Sequence, residues 1–215
     1  MSRTPPQPDR SEFSGDDLEA HDEVLARRKS MHPGSDAAGA VDAGPYYGAL
    51  LNSPQAANAM SRIGSFVRTR GEHEGSFTHA DRELVDQVLS WDWDTTVVQN
   101  THIPDGLAVG VRLEAIEALR DGREDALTDD ERQLVDYVRQ VVGGGVTDES
   151  YAGIEARFGR RGAVEYTFFI AFLQAVIRLH QAFGVPEPTR EQVDAMLAEF
   201  RADATRLPDP AVRFR

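Results

Sequence analysis

The chain has 215 residues, 36 Asp and Glu against 23 Lys and Arg, a formal net charge of −13, and no cysteine. Acidity on this scale repels nucleic acid and anionic membrane, and the missing thiol excludes disulfides, thiolate metal sites and every thiol-based mechanism. The longest apolar stretch, Val164 to Phe183, is interrupted by Glu165, Gln174, Arg178 and His180, short of the ~18 apolar residues of a membrane span. The N-terminus lacks the apolar region of a signal peptide, so a soluble cytoplasmic protein is expected.

Residues 1–42 are polar and rich in Pro, Gly and acids, the composition of an arm that is partly disordered or straps a neighbouring subunit. Within it, "DDLEAHDEVLARRKSMH" can form a helix on the sparse apolar face Leu18, Val24 and Leu25. Residues 43–188 are expected to form one helical domain, and 189–215 a final helix and an extended tail. Ser53 and Pro54 are a suitable N-cap and first helical residue, followed by Ala57, Met60, Ile63 and Phe66 at helical spacing.

Thr78 caps the next helix, whose apolar face is Leu84, Val85, Val88 and Leu89. Asp94 is expected to cap a helix through Val97 and Val98 to His102, with Pro104 kinking it and Gly110 ending it. Leu113–Arg120, Thr128–Val142 (capping box Thr128/Glu131) and Thr147–Phe158 follow. Arg161–Phe183, apolar on most sides, is expected to be the central helix. Thr189–Ala204 carries a second capping box, Thr189/Gln192. No segment alternates as a strand does, so the fold class is an all-α helical bundle.

The chemistry concentrates between Asp81 and Ile103. Glu83, Gln87 and Ser90 form a polar stripe opposite Leu84, Val85 and Val88, and on an uninterrupted helix Thr95, Val98 and His102 share one face at i, i+3 and i+7. An antiparallel hairpin of the two helices would bring Glu83 to His102. On the late apolar helix, Thr167, Gln174, Arg178 and Gln181 form a polar stripe from which Arg178 is the candidate anion clamp. His73 and His79, in "HEGSFTH", are too far apart for a compact metal site, and no metal is expected. Each residue has a plainer reading: Glu83 as a solvated helix residue, His102 as a partner for carbonyls freed by Pro104, Arg178 as an ion-pair residue, Trp91 and Trp93 as packing anchors.

"LLNSPQAA" at Leu50–Ala57, "REL" at Arg82–Leu84, "HIP" at His102–Pro104, "GV" at Gly110–Val111 and the closing "FFIAFLQAVIRLHQAFGVPEP" at Phe168–Pro188 resemble, in order and spacing, the carboxymuconolactone decarboxylase family, which includes the alkylhydroperoxidase-like proteins. The resemblance covers roughly Gly44 to Pro188. It implies that helical fold, assembly as a trimer or hexamer, and a site built on the glutamate and histidine that fall on Glu83 and His102. The peroxidase branch carries two cysteines where this chain has Thr95 and Val98, so its redox cycle is excluded here. The decarboxylase branch needs neither thiol nor cofactor.

The expectation is therefore a cofactor-independent lyase or isomerase acting on a small carboxylate-bearing cyclic compound. In it His102 is the general acid/base and Glu83 its partner, while Arg178, Thr95 and Val98 contact the substrate. The alternative is a catalytically inactive small-molecule-binding or assembly protein on the same scaffold.

Overall fold

The computed structural model describes residue 3 and residues 5–31, 43–70 and 76–203. Among them there are helices and no strand, so the protein is all-α. "GSDAAGA", His73 and the tail from Arg206 lie outside the described residues. The chain forms two compact units, Met1–Thr69 with Arg178–Pro186, and Arg70–Ile177 with Glu187–Arg215.

The first unit contains α1 (Gly15–Met31), α2 (Gly44–Leu50) and α3 (Pro54–Arg70). Val24, Ala43, Leu50, Leu51 and Ala57 form its apolar cluster, flanked by Tyr46, Tyr47, Met60 and Phe183. The helix expected in the polar arm thus forms and contributes to a core: Ala20, His21 and Val24 of α1 are buried. Arg28 lies 5.0 Å from the centre of the Tyr47 ring, Tyr46 stacks on His180 at 4.0 Å, and Arg27 donates to Asn58 at 2.8 Å. The boundary expected near residue 42 does not separate the units, because Val24 of α1 packs in one apolar cluster with Ala43, Leu50, Leu51 and Ala57.

The second unit contains α4 (His79–Asp92), α5 (Gln99–Val109), α6 (Leu113–Asp121), α7 (Asp129–Gly143), α8 (Asp148–Phe183) up to Ile177, and α9 (Arg190–Ala202). Capping boxes form at Thr78/Asp81, Thr128/Glu131 and Thr189/Gln192, each satisfying backbone N–H groups that a helix start leaves open. α4 packs against α5, α6 and α7, and every residue from Asp81 to Ser90 is buried.

The central helix is therefore α4 and not the late apolar one. α8 buries Tyr166, Phe169, Ile170, Leu173 and Ile177 but leaves Val164 55% and Phe168 44% exposed. By length and composition α8 is also apolar enough to cross a membrane. Phe77 packs with Phe158, Tyr166 and Phe169 of α8 as an aromatic cluster.

α8 joins the two helices expected at 147–158 and 161–183 across Gly159, whose backbone (φ 71°, ψ 167°) is not helical. That conformation is open to glycine and strained for other residues. Gly159→Ala is expected to cost about 1–3 kcal/mol, read as a lower thermal midpoint. Gly145→Ala, where an added Cβ meets nothing within 4 Å, is expected to leave the midpoint unchanged.

Candidate active site

α4 is anchored before its functional residues begin. The Asp81 carboxylate accepts the Thr78 amide and hydroxyl, both at 2.7 Å, and the Asp81 carbonyl accepts the Tyr166 hydroxyl at 3.4 Å. Two residues on, Glu83 is fully buried. Its Oε1 accepts Arg82 Nη2 at 2.9 Å and its Oε2 meets His102 Nδ1 at 2.7 Å. Asp86 Oδ2 lies 3.5 Å from the same Nδ1. Facing two carboxylates, Nδ1 must donate, which leaves Nε2 to meet a substrate; the His102 side chain is 29% exposed.

At Gly106 an added Cβ would lie 3.4 Å from Glu83 Cβ and from Val111 Cγ2, an ordinary van der Waals contact, so α5 runs close against α4 here. α5 continues through Pro104 to Gly110, where a left-handed residue (φ 105°) ends it. α5 does not begin at Asp94, however. It begins at Gln99, with Val98 as an N-cap that makes no side-chain hydrogen bond. Asp94 instead has a left-handed backbone, φ 46°, and turns the chain after α4. The helical face proposed for Thr95, Val98 and His102 is therefore broken, since Thr95 precedes the helix.

Thr95 and Val98 are both buried. The Thr95 amide donates to the Ser90 carbonyl at 3.0 Å, and its hydroxyl donates to Glu187 Oε2 at 3.0 Å. Glu187 also accepts the Thr96 amide at 3.0 Å, and the Thr96 hydroxyl donates to the Pro188 carbonyl at 2.5 Å. Thr95 is thus a latch of the corner, with its hydroxyl already used. Trp91 is half-buried, with Arg190 stacked 4.7 Å from its ring centre and paired to Asp94.

Arg178 is exposed and belongs to the first unit, where it donates to Gln181 at 2.8 Å. The stripe that suggested it is divided, for Thr167 lies in the second unit against the Tyr137 hydroxyl at 2.5 Å. The guanidinium beside Glu83 is that of Arg82. Sequence reasoning passed over Arg82 and Asp86. Asp86 stands three residues after Glu83, so helical spacing alone places the two on one side of α4.

Burial opposes charge on all three groups, and attraction outweighs it for Glu83 and His102 but not for Asp86. For Glu83, burial is outweighed by His102 and Arg82, which hold its carboxyl down to about 2. For Asp86, burial prevails over the attraction of His102, and the neighbouring Glu83 charge adds to it, so the carboxyl is pushed up to about 7. For His102, burial is outweighed by Asp86 and Glu83, which raise the imidazole to about 9. Glu83, Asp86 and His102 also offer three ligand atoms within 4.8 Å of one another. The set fits a divalent cation poorly, because Arg82 and His102 already take both Glu83 oxygens and the guanidinium would repel a second cation.

No family model, no curated protein and no solved structure matches the chain. What the fold and the site define is an all-helical protein with a buried carboxylate bonded to a partly exposed imidazole on a helical hairpin.

The raised imidazole has a measurable consequence. The ionic pair stabilises the fold fully below the ordinary imidazole value of ~6.5, and this contribution is lost as pH rises through about 9. The lowered Glu83 contributes above its ordinary range, and that part is lost as pH falls toward about 2. Asp86→Asn removes one of the two anions facing Nδ1, and the His102 titration midpoint, followed by the NMR shift of its ring proton, is expected to move downward.

Proposed function

We propose that the chain is a cofactor-independent lyase or isomerase, of the carboxymuconolactone decarboxylase type, acting on a small carboxylate-bearing cyclic compound. The observation that carries this reading is the 2.7 Å bond between His102 Nδ1 and Glu83 Oε2. It joins the two residues that the resemblance assigns to proton transfer, nineteen positions apart, inside a buried hairpin. A carboxylate fixed on Nδ1 sets the tautomer and stabilises the imidazolium, so that Nε2–H serves as a general acid.

Loss of CO2 from a carbon conjugated to a carbonyl leaves its electron pair on the enolate. Nε2 delivers the proton to that carbon, and water reprotonates the imidazole. With no cysteine in the chain, thiol peroxidase chemistry is absent from this proposal. A soluble, cytoplasmic homo-oligomer, trimeric or hexameric, belongs to the same reading. The exposed Val164 and Phe168, one turn apart on α8, are apolar surface of the kind that subunits cover.

The test is CO2 release from carboxymuconolactone and related lactones. Wild-type turnover is expected, and His102→Gln is expected to lower kcat by about 10²–10⁴-fold with retained helicity by circular dichroism. Undiminished activity in His102→Gln removes the histidine from the mechanism. Binding of lactones without turnover by the wild type favours the inactive binding protein. For assembly, Val164→Glu with Phe168→Glu is expected to shift the sedimenting species toward the monomer.

A further inference from the structure

The hairpin holds more buried polarity than the proton-transfer pair uses. Gln87, Ser90 and Gln99 are each 0% exposed. Among the described residues, both amide atoms of Gln87, both of Gln99 and the Ser90 hydroxyl have no hydrogen-bond partner. Buried side-chain polar atoms in native proteins are nearly always paired, with protein, ligand or water, so three neutral side chains left open on one hairpin point to something they bind.

The register places them together. His102 bonds Glu83 near one end of the hairpin, and the Thr95 amide bonds the Ser90 carbonyl at the corner. Gln87 on α4 and Gln99 at the start of α5 lie between these two ties. On α4, Glu83, Gln87 and Ser90 follow one another at i, i+4 and i+7, and on α5 Gln99 precedes His102 by three, so each amide shares a helix face with one member of the pair.

The chemistry of the open atoms selects the ligand. Primary amides and a hydroxyl present neutral donors and acceptors, suited to carbonyl and ring oxygens. A second anion here would lie near Glu83 and Asp86 without a cation of its own. A carbonyl oxygen enters uncharged and gains negative charge only as the enolate forms, when fixed N–H donors stabilise it most.

We propose that Gln87 and Gln99 form a carbonyl-binding subsite beside His102, their amide N–H groups holding the oxygen of a compact lactone or ketone, with Ser90 bonding the ring oxygen. The proposal rests on the proton-transfer reading of this hairpin. In the step it serves, the C–CO2 bond breaks, CO2 leaves, and the electron pair passes to the oxygen held by the two amides. It returns to carbon as His102 Nε2 delivers its proton there, and water restores the proton on the imidazole.

Binding tests this without turnover. The full-length 15N-labelled protein is titrated with γ-butyrolactone and, separately, with tetrahydrofuran, which lacks only the carbonyl oxygen. The lactone is expected to shift the side-chain amide resonances of Gln87 and Gln99, and the ether to leave them in place. Gln87→Met and Gln99→Met, close in shape, are each expected to weaken lactone binding by about tenfold, the loss of one buried hydrogen bond.

No shift with the lactone, or equal shifts with both rings, overturns the proposal and leaves the amides as water ligands only. Lactone binding undiminished in both variants overturns it as well. Should a variant fail to fold, the comparison of the two rings on the wild type still decides. Loss of the decarboxylation reading alone, with lactone-specific shifts intact, leaves the carbonyl subsite standing.

Discussion

A helix buried on every side must satisfy its polar side chains inside the protein, and α4 is such a helix. Asp81, Arg82, Glu83, Asp86, Gln87 and Ser90 are all buried, where an uncompensated charge costs several kcal/mol. The compensation runs through short contacts: Thr78 on Asp81, Arg82 and His102 on Glu83, and the His102 imidazolium shared with Asp86. The position of α5, the protonation of His102 and the raised Asp86 carboxyl all follow from the need to balance charge in that space.

The hairpin that does this is closed by the chain itself. Asp94 turns in the left-handed region, Thr95 returns its amide to Ser90, and Thr95 and Thr96 both give hydrogen bonds to Glu187. Thr95 is a buried latch and Val98 a buried helix cap, and the corner they form presents His102 to Glu83.

The division into units bears on which residues act together. The acid, the imidazole, their guanidinium and the latch all belong to the second unit. The polar stripe of α8 does not, since its Thr167 and Arg178 fall on opposite sides of the division. The N-terminal arm is likewise no separate appendage, because Val24 on α1 is as buried as Leu51 and Ala57.

The sequence by itself determined the helical class, most helix boundaries, two capping boxes and the Thr78 cap, and the pair Glu83 and His102. These depend on local periodicity, on capping chemistry and on a short hairpin, all of which act over a few turns. It also excluded thiol chemistry, which composition alone decides. The tertiary structure decided what local pattern cannot encode: that α4 and not α8 is buried all round, that Arg82 and Asp86 complete the charge balance, that Glu187, ninety-two residues from Thr95, latches the corner, and that Arg178 belongs to the other unit. Burial and charge compensation depend on what packs against a residue from distant parts of the chain, and only the folded arrangement fixes those neighbours.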